Sequence, residues 1–405
     1  MTQHDFSTGG GEALFRLRTP ALAVGAIAMV ALVIGAFTDT EQFFRSYLTG
    51  WVFVLMISAG SLAVLMISNL TGGRWAYLLR RPAEAAASAM PVVALAFIPV
   101  LVGMKSIYIW ANPEIVSHDK LLQHKQAYLN PAFFTGRAVF FFLFWSLAAY
   151  LLVKWGRQYD GTRDGWVALR MRKLSGFGLL ATALTLTFAS IDWQMSLEPH
   201  WFSSMFALSF VVGCLLTGWA FLVLSVVRLS ASAPYADAAK PLILRDLGNL
   251  MLAFVMLWAY LAFSQFLLTW YGNLREEAPY YLVRGQGTWG AIGFALIVFH
   301  FFLPFFLLLM RPIKDRPRTL GTVAVLLLVM RAVDIFWITA PAWAQGHGEG
   351  AASQHGAPFH LSWMDPAAFI AFAALFFALF ARNLGARSLL PPQPEAHAKE
   401  AVAHG

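Results

Sequence analysis

The chain has 405 residues, of which 59% are hydrophobic, 15% aromatic and only 12% charged. A water-soluble domain carries about 25% charged residues, so most of this surface faces something other than water, and an ordinary soluble protein is excluded. The single cysteine, Cys214 in an apolar run, excludes an iron–sulfur cluster, an intrachain disulfide and a haem attached through a C-x-x-C-H box.

Crossing a bilayer takes about 20 mostly apolar residues. Runs of that kind predict an all-α polytopic membrane protein with helices at 20–37, 47–69, 90–110, 132–155, 174–191, 201–228, 245–271, 288–311, 319–341 and 364–383. The start, "MTQHDFSTGGGEALFRLR", is polar and glycine-rich and reads as a cytoplasmic segment (1–19) without a cleavable signal peptide. A first flanking helix occupies 20–46. Two units of four helices follow, 47–191 and 192–341. A Gly/Ala/His-rich outer loop spans 342–363, a last flanking helix 364–387, and the tail 388–405 has a disordered composition.

Most of the 29 lysines and arginines fall in segments on the N-terminal side, among them "RWAYLLRR", "KWGRQYDGTRDGWVALRMRK" and "RPIKDRPR". Lysine and arginine are retained on the cytoplasmic side, so both termini are expected there. The same bias accounts for the net charge of +8 without nucleic-acid binding. In the outer loop His347, His355 and His360 are spaced too irregularly to argue for a metal.

An ionisable side chain within a span costs about 2.5–3.5 kcal/mol on insertion scales, which singles out a few positions. His300 sits centrally in "ALIVFHFFLPFFLLL", with Pro304 unable to donate to its carbonyl; packing and ligand binding stay open as its role. It is the one histidine deep in a predicted span, so paired axial ligands for a di-haem cytochrome b are lacking. Arg331 and Asp334 in "LVMRAVDIFW" share a helical face and pair, either as a structural ion pair or in proton transfer. Lys105 and Arg137 lie near outer helix ends, and snorkelling is the expectation for Arg137. Asp192 ends the fifth span in "ASIDWQM", much as Asp334 lies in "RAVDIFWIT", which suggests two equivalent four-helix units. Beyond Asp192 the hairpin "SIDWQMSLEPHWFSS" adds Glu198 and His200 between Trp193 and Trp201. Acids and a histidine beside aromatic rings suit a site where protons or a ligand are handled; tryptophan anchors at an interface are the bland alternative.

The ten helices with both ends inside, the doubled four-helix core and the hairpin "DWQMSLEPHWFSS" resemble the NrfD-type membrane subunits. The resemblance is to the smaller, ActF-like, of the two such subunits in bacterial alternative complex III. It implies a cofactor-free integral subunit of the cell inner membrane, within a respiratory complex that passes electrons from menaquinol or ubiquinol to a cytochrome c-type acceptor. It also implies c-haem and iron–sulfur partner subunits, a second NrfD-type subunit and bound lipids. Asp192, Glu198, His200, His300, Arg331, Asp334 and Lys105 would then serve quinol binding or proton translocation. A purely structural scaffold is the alternative. An independent secondary transporter is the third reading, weakened because Pro99 and Pro304 fall in non-equivalent spans.

Overall fold

A computed structural model describes residues 15–344 and 358–392. Among the described residues ten helices are long and apolar enough to cross a membrane. In chain order they are α1 (Arg18–Gly35), α2 (Thr40–Thr71), α3 (Arg74–Val102), α4 (Pro131–Thr162), α5 (Gly165–Leu197), α6 (Ser204–Leu229), α7 (Pro241–Gly272), α8 (Gly287–Leu309), α9 (Pro317–Trp343) and α10 (Met364–Leu384). All ten predicted spans are present.

The largest boundary difference is at α3. The reading from hydropathy started that helix at 90, but it begins at Arg74 and is interrupted near residues 88–89 and 96–97. Arg80 and Arg81 belong to "RWAYLLRR", read from its charge as a segment on the cytoplasmic side, and Glu84 follows it. Arg81 and Glu84 are buried and Arg80 is partly buried, because they neutralise one another and their neighbours. Arg81 bonds Glu84 at 2.8 Å and Asp160 of α4 at 2.7 Å, while Arg387 reaches Glu84 at 2.8 Å. A charge network of this kind removes most of the desolvation penalty that a lone charge would carry. It also orders the start of the tail: Tyr77 donates to the Pro391 carbonyl at 2.9 Å and Tyr235 to that of Leu389 at 3.2 Å. The tail expected to be disordered from 388 is thus structured through 392, and the rest of it lies outside the described residues. The same holds for the N-terminal segment before 15.

Helices α2–α5 pack together as one unit and α6–α9 as another, with α1 and α10 side by side against α2. The two units meet where α2 crosses α6, both largely buried. Gly60 and Gly218 make that crossing possible. A Cβ on Gly60 would lie 1.9 Å from the Cys214 carbonyl oxygen, and one on Gly218 would lie 2.6 Å from the Gly60 carbonyl carbon. Small residues let membrane helices approach this closely, and the resulting dispersion contacts take over from the hydrophobic effect as the driving force.

The interiors of the two units differ. Between α2 and α5 the rings of Trp51, Phe97, Phe142, Trp145 and Trp193, each 0–7% exposed, fill the space. Trp51 lies edge-on to Trp193 at 5.1 Å between centroids, and Phe142 stacks on Trp193 at 5.4 Å. Such offset and edge-to-face pairs are favourable arrangements for aromatic quadrupoles. The Trp51 indole donates to the Val93 carbonyl and that of Trp145 to Thr185, each at 2.9 Å, so two polar edges in this ring cluster are satisfied. The α6–α9 unit instead encloses an open volume.

Candidate functional site

That volume is a cavity of about 640 Å³, within the range of small-molecule sites. It lies between α6, α7, α8 and α9 in their halves nearest the face opposite the chain's start, with Gln194 at the end of α5 and Met56 of α2 also in its wall. Trp258, Phe266, Phe294 and Trp337 are among its many aromatic lining groups, with Arg331, Asp334, Gln265 and Arg284 as polar ones. Helix α7 packs on α8 mainly through residues 303–309 and much less through 287–296. The two helices therefore diverge toward that face and leave a lateral gap. Phe263 and Phe294, 61% and 67% exposed, flank it and also line the cavity.

The local structure of α8 contributes to this shape. Residues 297–302 form a π-helical turn, in which the Leu303 N–H reaches back to the Val298 carbonyl. In an α-helix that N–H would bond the Phe299 carbonyl, and the next potential donor, Pro304, has none. Extra-residue turns of this type are frequent at functional sites. His300 is at the centre of the turn and fully buried, with its ring 4.0 Å from that of Trp258 between centroids. Neither ring nitrogen has a hydrogen-bond partner among the described residues. His300 stands behind Trp258 and is not itself a lining residue.

Arg331 and Asp334 pair on α9, as their spacing predicted, and both face the cavity. The guanidinium is further held by Thr217 at 3.3 Å and the Met56 sulfur at 3.2 Å. Gly213 makes room for it, since a Cβ there would lie 2.5 Å from Arg331 Nη2. Asp334 is the only carboxylate among the cavity's lining residues.

The remaining candidates are distributed to other places. Asp192 is fully buried in a two-point bond with Arg137 of α4, both contacts at 2.8 Å. Arg137 also lies over the Tyr128 ring at 3.8 Å and the Phe133 ring at 4.3 Å. Snorkelling was the wrong expectation for Arg137: a buried acid one helix away recruits it, a partner that spacing along the chain cannot reveal. Glu198 bonds Arg284 at 2.9 Å. His200 bonds Asp119 at 2.7 Å in the loop before α4, and Lys125 of the same loop donates to the Pro199 carbonyl at 2.5 Å. The hairpin's polar residues thus fasten three separate contacts and do not converge on one site. Lys105 is exposed in a short turn, Met104–Ile107, apart from the cavity. His347 and His355 lie outside the described residues.

Arg284 was not singled out from the sequence. Besides Glu198 it donates to the carbonyls of Trp337 at 3.3 Å and Ile338 at 2.7 Å, near the end of α9, where backbone acceptors lack helical partners. Its guanidinium stacks on Tyr280 at 3.6 Å. Burial alone would lower its pKa, but Glu198 and the other neighbours outweigh burial and hold it above the ordinary arginine value. At Asp119, partial burial pushes the carboxyl up; the Leu122 backbone N–H and His200 overcome this and hold it below the usual aspartate range. The signal for Arg284 was its position, an arginine on a face otherwise poor in them.

What the arrangement can do chemically follows from its parts. An amphipathic molecule dissolved in the bilayer has lateral access between α7 and α8, aromatic surfaces to stack on and an acid–guanidinium pair at the wall. No protein-family model matches the chain, and a search of curated proteins found no relative.

Proposed function

We propose that the protein is an integral membrane subunit of a quinol-oxidising complex and that the α6–α9 cavity is where it binds quinol. The observation that carries this reading is the laterally open, aromatic-lined cavity with Asp334 and Arg331 in its wall. A quinol needs an apolar slot for its ring and tail and a nearby group to accept its hydroxyl protons as electrons leave. Asp334 is the acid in reach of the cavity, paired with Arg331 in its wall. His300, behind Trp258, packs against the wall and does not line the cavity. Asp192, Glu198, His200 and Lys105 serve assembly and the outer surface. Electrons leave through c-haem and iron–sulfur partner subunits, since the single cysteine of this chain cannot hold an iron–sulfur cluster. Basic segments on the N-terminal side keep both termini in the cytoplasm of a bacterial cell, with the cavity toward the opposite face.

The test begins with purification of the full chain from native membranes in mild detergent. Partners with c-haem and iron–sulfur spectra should accompany it, and a menaquinone or ubiquinone analogue should quench tryptophan fluorescence saturably, because Trp258 and Trp337 line the cavity. A chain isolated without redox partners contradicts the complex, and absence of saturable quenching contradicts the site. Asp334→Asn should lower quinol-linked turnover while the complex stays assembled. Unchanged turnover would favour the scaffold reading.

A further inference from the structure

The cavity wall has a polarity gradient that bears on what enters it and which end goes first. The side toward the bilayer is hydrocarbon: Phe263, Phe294 and Ile297 line the cavity and are themselves exposed. The opposite side is formed by α6, one of the two most buried helices, and by the end of α5. There Gln194, only 4% exposed, has a side-chain amide nitrogen with no partner among the described residues, and the Ser209 hydroxyl is likewise unpartnered. Both residues line the cavity. Buried polar groups are hydrogen-bonded in the great majority of cases, and a donor left without an acceptor in a dry site is costly. Two such groups on one wall of one cavity define a place for a ligand oxygen.

Charge narrows the ligand further. The cavity's two guanidinium groups are each bonded to a carboxylate, Arg331 to Asp334 and Arg284 to Glu198. Neither is a spare cation for an anionic head group, so a fatty-acid carboxylate or a phosphate would enter without compensation. A neutral head group carrying oxygen acceptors meets no such penalty.

We infer that Gln194 and Ser209 are the recognition residues for the head group of a neutral, membrane-soluble ligand with a ring-borne oxygen, held head-first with its tail leaving between α7 and α8. The Gln194 amide donates to the ring oxygen, a carbonyl or a hydroxyl. The Ser209 hydroxyl donates to the same oxygen or accepts from it. The Trp258 indole supplies a face for the ring. This rests on the cavity being a quinol site and adds the residues that read its head group, neither of which was among the candidates chosen from the sequence.

The test uses the full chain in lipid nanodiscs and two probes with the same ten-carbon tail: decyl-ubiquinone, which has ring oxygens, and decylbenzene, which has none. Wild-type protein should bind decyl-ubiquinone the more tightly. Gln194→Leu should weaken decyl-ubiquinone about tenfold and Ser209→Ala about threefold, the range for loss of one hydrogen bond, with decylbenzene affinity unchanged. Unchanged decyl-ubiquinone affinity in both variants would overturn the assignment of Gln194 and Ser209 while leaving the cavity as a quinol site. Equal loss of both probes would also overturn it, because the leucine would then act on cavity shape alone. Failure of the wild type to bind either probe saturably would overturn the quinol site itself.

Discussion

Helices α5 and α9 each carry an aspartate toward the same end of the molecule, yet the interiors beside those two acids are unlike. Next to Asp192 the α2–α5 unit is filled by Trp51, Phe97, Phe142, Trp145 and Trp193. Next to Asp334 the α6–α9 unit holds about 640 Å³ of open space. The partner arginines differ in the same sense. Arg137 comes from α4 and bonds Asp192 across to α5, drawing two helices together. Arg331 sits one turn from Asp334 on α9 itself, so the ion pair is made within one helix, and only Thr217 and Met56 link its guanidinium to α6 and α2. Helix α8 has no charged residue between Gly287 and Leu309, and its lean away from α7 leaves the lateral gap. An aspartate toward the same end of a helix can thus be a structural staple in one unit and part of a ligand-accessible wall in the other. Where the arginine comes from decides between them.

Substitutions can break or sharpen this contrast. The largest effect is expected from Arg137→Ala, which strands the Asp192 carboxylate in a buried setting and should cost about 3–5 kcal/mol, measured as loss of thermal stability in detergent. Replacing both members, Arg137→Met with Asp192→Leu, should recover most of that loss, and neither change should alter quinone affinity. A similar figure applies to Phe142→Ala, which empties a well-packed ring position and should cost about 3–5 kcal/mol. In the hollow unit Phe294→Ala, at the exposed mouth, should change stability by only about 0.5 kcal/mol while weakening ligand binding. If Phe294→Ala is as damaging to stability as Phe142→Ala, the two interiors are not different in kind.

A smaller effect concerns the outer hairpin. Asp119 is held below its usual range, so its folded form favours the carboxylate. The stability it contributes is present above the unfolded pKa of about 3.9 and is lost as pH falls through the lower folded value. Asp119→Asn should therefore lower stability at pH 6, by no more than about 1 kcal/mol for a partly exposed pair, read as a lower melting temperature, and the difference should shrink as pH falls below the unfolded value. A gap that does not shrink as pH falls would show that the asparagine perturbs packing and not charge.

The ten spans were legible because hydropathy over 20 residues depends on composition alone. The Arg331–Asp334 pair was legible because both partners lie on one helix. The start of α3 was missed because the acids that neutralise Arg80 and Arg81 include Asp160, on another helix. Arg137 was assigned to the surface for the same reason, its partner Asp192 being a helix away. The cavity could not be read at all, since Phe142 and Phe294 look alike in a sequence and differ only in what stands opposite them. Gln194 was inside the hairpin that drew attention, but a neutral amide draws less notice than the acids and histidine around it.

The central claim is that the α6–α9 unit, and not α2–α5, is the one that takes up a ligand. Photolabelling of the full chain with an azido-quinone, followed by peptide mapping, tests it most directly. The account predicts adducts on cavity-lining residues such as Phe263, Phe294 and Gln194, lost on addition of excess unlabelled quinone. Adducts confined to α2–α5, or labelling of α6–α9 that excess quinone does not displace, would contradict it.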